Sequence, residues 1–352
     1  FSFLLSPCPA RGLLQLAPTS QLADTVELPR GTEVQVVAPS GARAMFATQR
    51  AARVLPLRLV WCETLLRVEG PRVVLGFRSP FPRKEEIGAL SLHVNHLDDY
   101  PASLTLLHYL RRYLERAFVV FEDKVTEDSD GPSCSVSFGA EADEDTVGEE
   151  DHPLEEVRSF FHSPQRDLFM NVGVTETPPR WHKFSIVLDL KATWPRALRL
   201  TKDMFELFTV PIANLQDSPA EPLLCEGLES RTRIRHPTPA QRWEPHSVRG
   251  VYSVEEMGLA PIRPGIVTSG TGSYELERTE DEQGEAHWIR LRFPEAFAEP
   301  RPIAIEGRWL QPGFSKHISG HLKAQLHARA IPGLKIELRG GVTPHVSNPL
   351  AN

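Results

Sequence analysis

Proline occupies 31 of the 352 positions and recurs along the chain. Each one removes a backbone donor and pushes the residue before it toward extended geometry, which fits many short strands and irregular connections better than long helices. Between the prolines and glycines lie short runs in which apolar and polar residues alternate. Thr25 to Leu28, Val34 to Val37 and Val54 to Trp61 show the pattern, and Leu90, Leu92 and Val94 continue it. Strongly apolar runs at Phe184 to Leu190 and Phe205 to Ile212 read as further strands, as do Val251 to Val254, Ser273 to Leu276, Trp288 to Phe293, Ile303 to Ile305 and Leu334 to Leu338. The expectation is a mainly β protein with some α, an α+β architecture of antiparallel sheets with a few short helices. A chain this long buries more than one core. The division expected is residues 1–126, β-rich with one helix; 127–152, an acidic loop or linker; 153–249, a middle β-rich unit; and 250–352, a C-terminal β-rich unit. No internal repeat is evident.

Two helices stand out. Asp98, Asp99 and Pro101 announce the first, with Leu107, Leu110, Leu114 and Ala117 close to one face. In the second, PLEEVRSFFHSPQRDLFMNV from Pro153 to Val172, proline suits the first turn and Glu155 and Glu156 sit at the positive end of the helix dipole. Leu154, Val157, Phe160 and Phe161 share one helical face, so the two phenylalanines read as core before contact. Pro164 ends this helix near Ser163, and Leu168, Met170 and Val172 then alternate as a strand does.

A net charge of −7 and a pI near 6.0 argue against general nucleic-acid binding, which needs a basic surface. Cys8, Cys62, Cys134 and Cys225 are widely spaced and read as free thiols in a reducing compartment. FSFLLSPC at the start lacks a basic n-region, and Pro7 before Cys8 makes a poor cleavage site, so it reads as strand. No apolar run approaches the ~20 residues of a membrane helix. A soluble, cytoplasmic protein is expected. Glu141 to Asp151 holds seven carboxylates and reads as a loop or linker, without the ligand layout of an EF-hand.

The search for chemistry returns no phosphate loop, no HExxH site and no GxSxG elbow. Gly270-Thr271-Gly272 lacks the third glycine of a dinucleotide fingerprint and reads as a hairpin turn. His93, His96, Asp98 and Asp99 form the best candidate metal or acid-base cluster, but acidic residues routinely begin helices. His317 and His321 stand at i, i+4 with His327 beyond them, with no carboxylate beside them in sequence. The six tryptophans are scattered and read as core or interface. Arg231, Arg233 and Arg235 alternate with Thr232 and Ile234, so a strand shows all three guanidinium groups on one face, either to solvent or to an acidic partner. No catalytic residue, cofactor or metal is expected. A metal-dependent hydrolase built on His93 to Asp99, and a β-sandwich module binding carbohydrate or peptide, remain the readings from other functional classes.

The 153–172 segment keeps company with PRGTEV at Pro29 to Val34, with FELFTVPIANLQDSPAEP at Phe205 to Pro222 and with Val251-Tyr252-Ser253-Val254. In this order they resemble TssF, the ImpG/VasA family of type VI secretion baseplate subunits, over roughly residues 25 to 340. Arg158, Phe160, Phe161, Pro164, Leu168 and Phe169 fall on one family motif, and Pro211, Asn214, Leu215, Ala220, Glu221 and Pro222 on another. Phe208, Thr209 and Val210 replace a common Cys-Thr pair, and of a late motif only the position and the Leu310/Pro312 pair survive within IEGRWLQPGF. The chain starts without Met and is shorter than typical members at both ends, as a divergent member or a fragment would be. The resemblance implies a scaffold, two copies of which clasp one TssG subunit, with TssE and TssK attached, sheath and spike nearby, and no direct membrane insertion. Contacts are then expected at Arg158, Phe160, Phe161, Asn214, Leu215 and Glu221, with Arg231, Arg233 and Arg235 as a further surface.

Overall fold

The computed structural model describes residues 7–122, 124–139, 153–195, 197–227, 229–265, 272–281, 284–295 and 299–347. Among the described residues antiparallel sheets dominate, with two α-helices: α1, Tyr100–Tyr113, and α2, Pro153–His162. The acidic run Glu141 to Asp151 and the first two residues of Gly270-Thr271-Gly272 lie outside the described residues.

One large core holds together a six-stranded sheet, two four-stranded sheets and a two-stranded ribbon. The six-stranded sheet runs, in spatial order, Lys323–Leu326, Glu33–Val37, Arg43–Thr48, Thr209–Ala213, Arg11–Pro18 and Leu334–Thr343. Residues from near both ends of the chain therefore lie side by side: Leu14 pairs with Val210 on one flank and with Leu338 on the other. A second sheet orders Ser135–Phe138, Phe169–Val174, Gly88–Val94 and Phe205–Leu207; a third orders Arg58–Leu66, Pro71–Arg83, Trp181–Leu190 and Leu114–Val120. Phe46, Phe77, Phe169 and Phe184 are each about fully buried, which stabilises by roughly 1.5–3 kcal/mol apiece.

Two local expectations change in this setting. The run Phe205 to Ile212 is not one strand, because Phe208 adopts φ 56° and turns the chain from the second sheet into the six-stranded one. The helix begun by Asp99, whose carboxylate accepts from the Ala102 N–H at 2.8 Å, buries Leu107 and Leu110 as expected but ends at Tyr113. Leu114 and Ala117 belong instead to a strand whose ladder with Trp181–Leu190 overrides the helical spacing.

On the outer side of the third sheet, Arg72 donates to both carboxylate oxygens of Asp189, at 2.7 and 3.0 Å. Its remaining terminal nitrogen donates to the Thr126, Glu127 and Ser129 carbonyls. A planar guanidinium thus ties a loop to a sheet, a geometry that lysine does not reproduce.

Residues 216–310 form a second lobe. Its five-stranded sheet, with Arg301–Leu310 flanked by Gln216–Pro219, Leu223–Cys225 and Glu244–Glu255 and with Gly258–Pro261 at the edge, stands with a four-stranded sheet of Glu229–Arg233, Gly284–Arg292, Ser273–Asp281 and Arg263–Pro264. Their common core is centred on Trp309, which lies beside the bare Cα of Gly307 and against His236. The boundary expected at 249/250 falls within the strand Glu244–Glu255, since the unit that buries its own core is inserted between two strands of the six-stranded sheet.

The chain leaves for this lobe at Asn214 and returns at Gln311, and those residues bond to each other. The Gln311 N–H donates to Asn214 Oδ1 at 2.7 Å, Asn214 Nδ2 donates to the Met45 carbonyl at 2.7 Å, and the Met45 N–H donates to Gln311 Oε1 at 2.8 Å. Gln311 Nε2 reaches the Gln241 carbonyl in the second lobe at 2.8 Å. Asn214→Leu would leave the Met45 carbonyl and the Gln311 N–H buried without partners, each costing roughly 1–3 kcal/mol. The expected result is a loss of about 3 kcal/mol in urea unfolding.

A buried histidine sits near the same joint. His246 Nε2 faces the Pro7 carbonyl at 3.1 Å, and burial, aided by the charges of Arg308, Arg11 and Arg278, lowers its pKa from 6.5 to about 3. The folded state thus holds the ring neutral while the unfolded chain takes up a proton below pH 6.5. Stability from this group is complete above that pH and falls as pH drops toward 3, by an upper limit on the order of 5 kcal/mol. His246→Gln should flatten that part of the stability-pH curve, measured by urea unfolding from pH 7 to 4.

Candidate assembly surface

The α2 helix is moored to the segment Cys8 to Arg11. Arg11 donates to Ser159 Oγ at 2.8 Å, Arg158 reaches Cys8 Sγ at 3.5 Å, and His162 Nε2 lies 3.1 Å from the Pro9 carbonyl. Burial and the charges of Arg11 and Arg158 lower the His162 pKa against the pull of the Pro9 hydrogen bond, so a neutral ring donates to that carbonyl. The other face is open: Val157 is 47%, Phe160 38% and Phe161 77% exposed, with the two rings edge to face at 5.5 Å. The core reading of Phe160 and Phe161 is therefore corrected. Amphipathic spacing marks an apolar face, and here no other part of the described chain covers it. Beyond α2, Pro164 starts a single 3-10 turn and Phe169–Val174 becomes an interior strand.

The second motif runs inward. Pro211 is buried beside Leu13, and it is tolerated because the pairing of its strand with Arg43–Thr48 begins only at Ile212. Asn214 is 1% exposed, a joint inside the chain, and Leu215 is half-buried. Glu221 is exposed, its N–H bonded to the Arg235 carbonyl at 2.8 Å.

The strand Glu229–Arg233 carries Arg231 and Arg233, while Arg235 lies beyond its end. Ile234 is buried while Arg231 and Arg235 are exposed and Arg233 is half-buried. Arg231 is 2.9 Å from Glu277 and stacks over Trp288 at 4.3 Å; Arg290 also pairs with Glu277 at 2.7 Å. Charges on this sheet face are thus laced to one another, which is worth little in stability but fixes where the guanidinium groups sit.

The model of the family described as "Type VI secretion system, TssF" matches residues 3–301. The chain belongs to the TssF family. Among solved structures, the cryo-electron microscopy structure of the type VI secretion system TssK-TssF-TssG baseplate subcomplex contains a chain with the same fold: the TM-score is 0.76 and the identity 18%, covering 99% of this chain and 69% of that one. No curated protein sequence matches.

In this TssF chain His93, Asp98 and Asp99 line one pocket, each bonded to another partner. His93 is buried between Glu206, 3.2 Å from Nδ1, and the Gln165 carbonyl, 3.1 Å from Nε2. Burial raises the Glu206 pKa, but the hydrogen bond and charge of His93, with Arg339 and Asn95, bring it below its ordinary value. Asp99 caps α1, and Asp98 bonds Asn95 across the turn at 2.8 Å. An open cleft of about 620 Å³ lies alongside, lined by His96, Asp98, Glu206 and Arg339 among others. His317 ends a 3-10 segment and His321 lies outside any helix, so the i, i+4 helical spacing does not form. Among the described residues, no three His, Cys, Asp or Glu side chains are placed to hold a metal ion. All four cysteines are free, and burial raises the thiols of Cys62 and Cys134 to about 12 and 11. No helix among the described residues is long and apolar enough to cross a membrane. Gln311 is the residue that sequence reasoning missed: it lies between Leu310 and Pro312, the pair that marked the late motif.

Phe161→Glu touches a ring whose surface is already in water. Its expected cost is less than about 1 kcal/mol, measured as the urea midpoint at constant m-value.

Proposed function

We propose that this chain is a non-catalytic structural subunit of the type VI secretion baseplate, assembled in the cytoplasm beneath the inner membrane. Its proposed neighbours are a TssG-like subunit clasped by two copies of the chain, a TssK-like subunit, TssE, and the sheath and spike that the baseplate supports during contraction and effector delivery. The observation that carries the reading is the family match over residues 3–301. The likeness in fold across 99% of the chain to a subunit of the TssK-TssF-TssG subcomplex supports it.

A scaffold works through surfaces, and the proposed ones are those left open. The Val157, Phe160 and Phe161 face of α2 supplies rigid aromatic area of the kind that anchors interfaces, with Arg158 behind it on the mooring. Glu221, Arg231, Arg233 and Arg235 supply a separate charged surface on the second lobe, and half-buried Leu215 lies at that lobe's start. Asn214 acts from inside, holding the two lobes that carry those surfaces.

The test is native mass spectrometry of the chain co-expressed with the TssG-like and TssK-like subunits of its own locus. A complex with two copies of this chain per TssG-like subunit is expected, and Phe160→Glu with Phe161→Glu should reduce it at least tenfold by about the scale of an interface hot spot. A monomer that ignores every neighbour would overturn the reading.

A further inference from the structure

The hairpin Tyr252 to Pro261 ends in a feature the fold does not use. Its register is tight, with Tyr252 opposite Pro261, Val254 opposite Leu259 and Glu255 opposite Gly258, leaving Glu256 and Met257 as a two-residue turn. Support from the neighbouring strand Arg301–Leu310 stops at Ser253, opposite Ile303. From Val254 to Leu259 the hairpin therefore overhangs its sheet as a two-stranded tongue.

The tongue is apolar where solvent-facing turns are ordinarily polar. Met257 is 100% exposed, Leu259 56% and Val254 43%. Turn tips favour Gly, Asn, Asp and Ser for conformational reasons, and Gly258 at φ 128° already meets the backbone demand. Neither Glu256 nor Met257 adopts a positive φ. Nothing in the turn requires a methionine, and a fully exposed one makes no contribution to the core. An unbranched thioether is well suited to filling an irregular apolar pocket on another surface. The cross-strand pair Val254 and Leu259 extends that apolar area down the tongue.

Charge narrows the occupant. From Tyr252 to Pro261 the hairpin carries Glu255 and Glu256 and no lysine or arginine, and Tyr252 at its root donates to Glu306 at 3.2 Å. The apolar tip is collared by carboxylates, so a complementary pocket carries lysine or arginine at its rim. We propose that the tongue inserts Met257, with Val254 and Leu259 behind it, into an apolar pocket with a basic rim on a different subunit of the secretion apparatus. This rests on the baseplate reading above.

Met257→Asn suits the turn and removes no internal contact, so the folded chain serves as its own control. With purified TssG-like and TssK-like subunits as probes, Met257→Asn should keep its melting temperature within about a degree of the native chain, as expected for a surface change. It should weaken binding to one of the two at least about tenfold. Glu255→Lys with Glu256→Lys should weaken the same pair and reduce its salt dependence. Unchanged affinity in Met257→Asn, with the native chain assembling normally, would overturn the tongue and leave the baseplate reading standing. A homodimer of this chain that Met257→Asn dissolves would overturn the assignment to a different subunit. Failure of the native chain to bind either probe would overturn both.

Discussion

Everything beyond the first lobe depends on a hydrogen-bonded joint of three residues. The second lobe, residues 216–310, is an insertion whose two ends are Asn214 and Gln311, and each satisfies the other with the Met45 backbone completing the node. All three residues are buried, so none of these donors or acceptors has water as an alternative partner. Met45 also packs into the core of the second lobe from a strand of the first. A node of this kind fixes direction as well as distance: amide and backbone groups bond only in narrow geometries, and the two lobes are held at a set angle by them.

A scaffold needs such rigidity, because the geometry of its exposed surfaces is its output. The same economy appears elsewhere in the chain. Arg72 and Asp189 tie a loop to the third sheet, and the mooring of α2 by Arg11, Arg158 and His162 turns a short helix into a fixed platform. Inside, His93 and Glu206 bond to one another beside the cleft, and the Gln165 carbonyl holds the other ring nitrogen. Outside, apolar groups are left uncovered at Val157, Phe160, Phe161 and Met257, each on an element whose backbone is already secured.

Much of the local fold was legible in the residues, and the long-range part was not. Alternation located the strands at Val34 to Val37, Leu90 to Val94 and Trp288 to Phe293, because a half-buried strand writes its two faces into consecutive positions. It did not locate the corner at Phe208, where a left-handed residue that is not glycine carries no compositional mark. Leu114 and Ala117 kept helical spacing but were claimed by a ladder to residues some seventy positions away. The insertion was invisible for the same reason: its closure joins Asn214 to Gln311, and neither is informative alone. The apolar face of α2 was read from its period, yet a period says nothing about what covers a face, so Phe160 and Phe161 were placed in the core. Family resemblance marks Asn214, but its physical role as a buried joint depends on Gln311 and Met45, which lie far from it in the chain.

On this reading a two-lobed body, tied at the Asn214–Gln311 joint, enters an assembly through the surfaces it leaves open. A cryo-electron microscopy map of the baseplate subcomplex isolated from the native host tests it most directly. The expected map shows this chain with the Asn214–Gln311 joint unchanged and the Phe160/Phe161 face covered by a neighbouring subunit. A map in which the chain is present but that face remains in solvent, or in which the two lobes have separated at the joint, would contradict the claim.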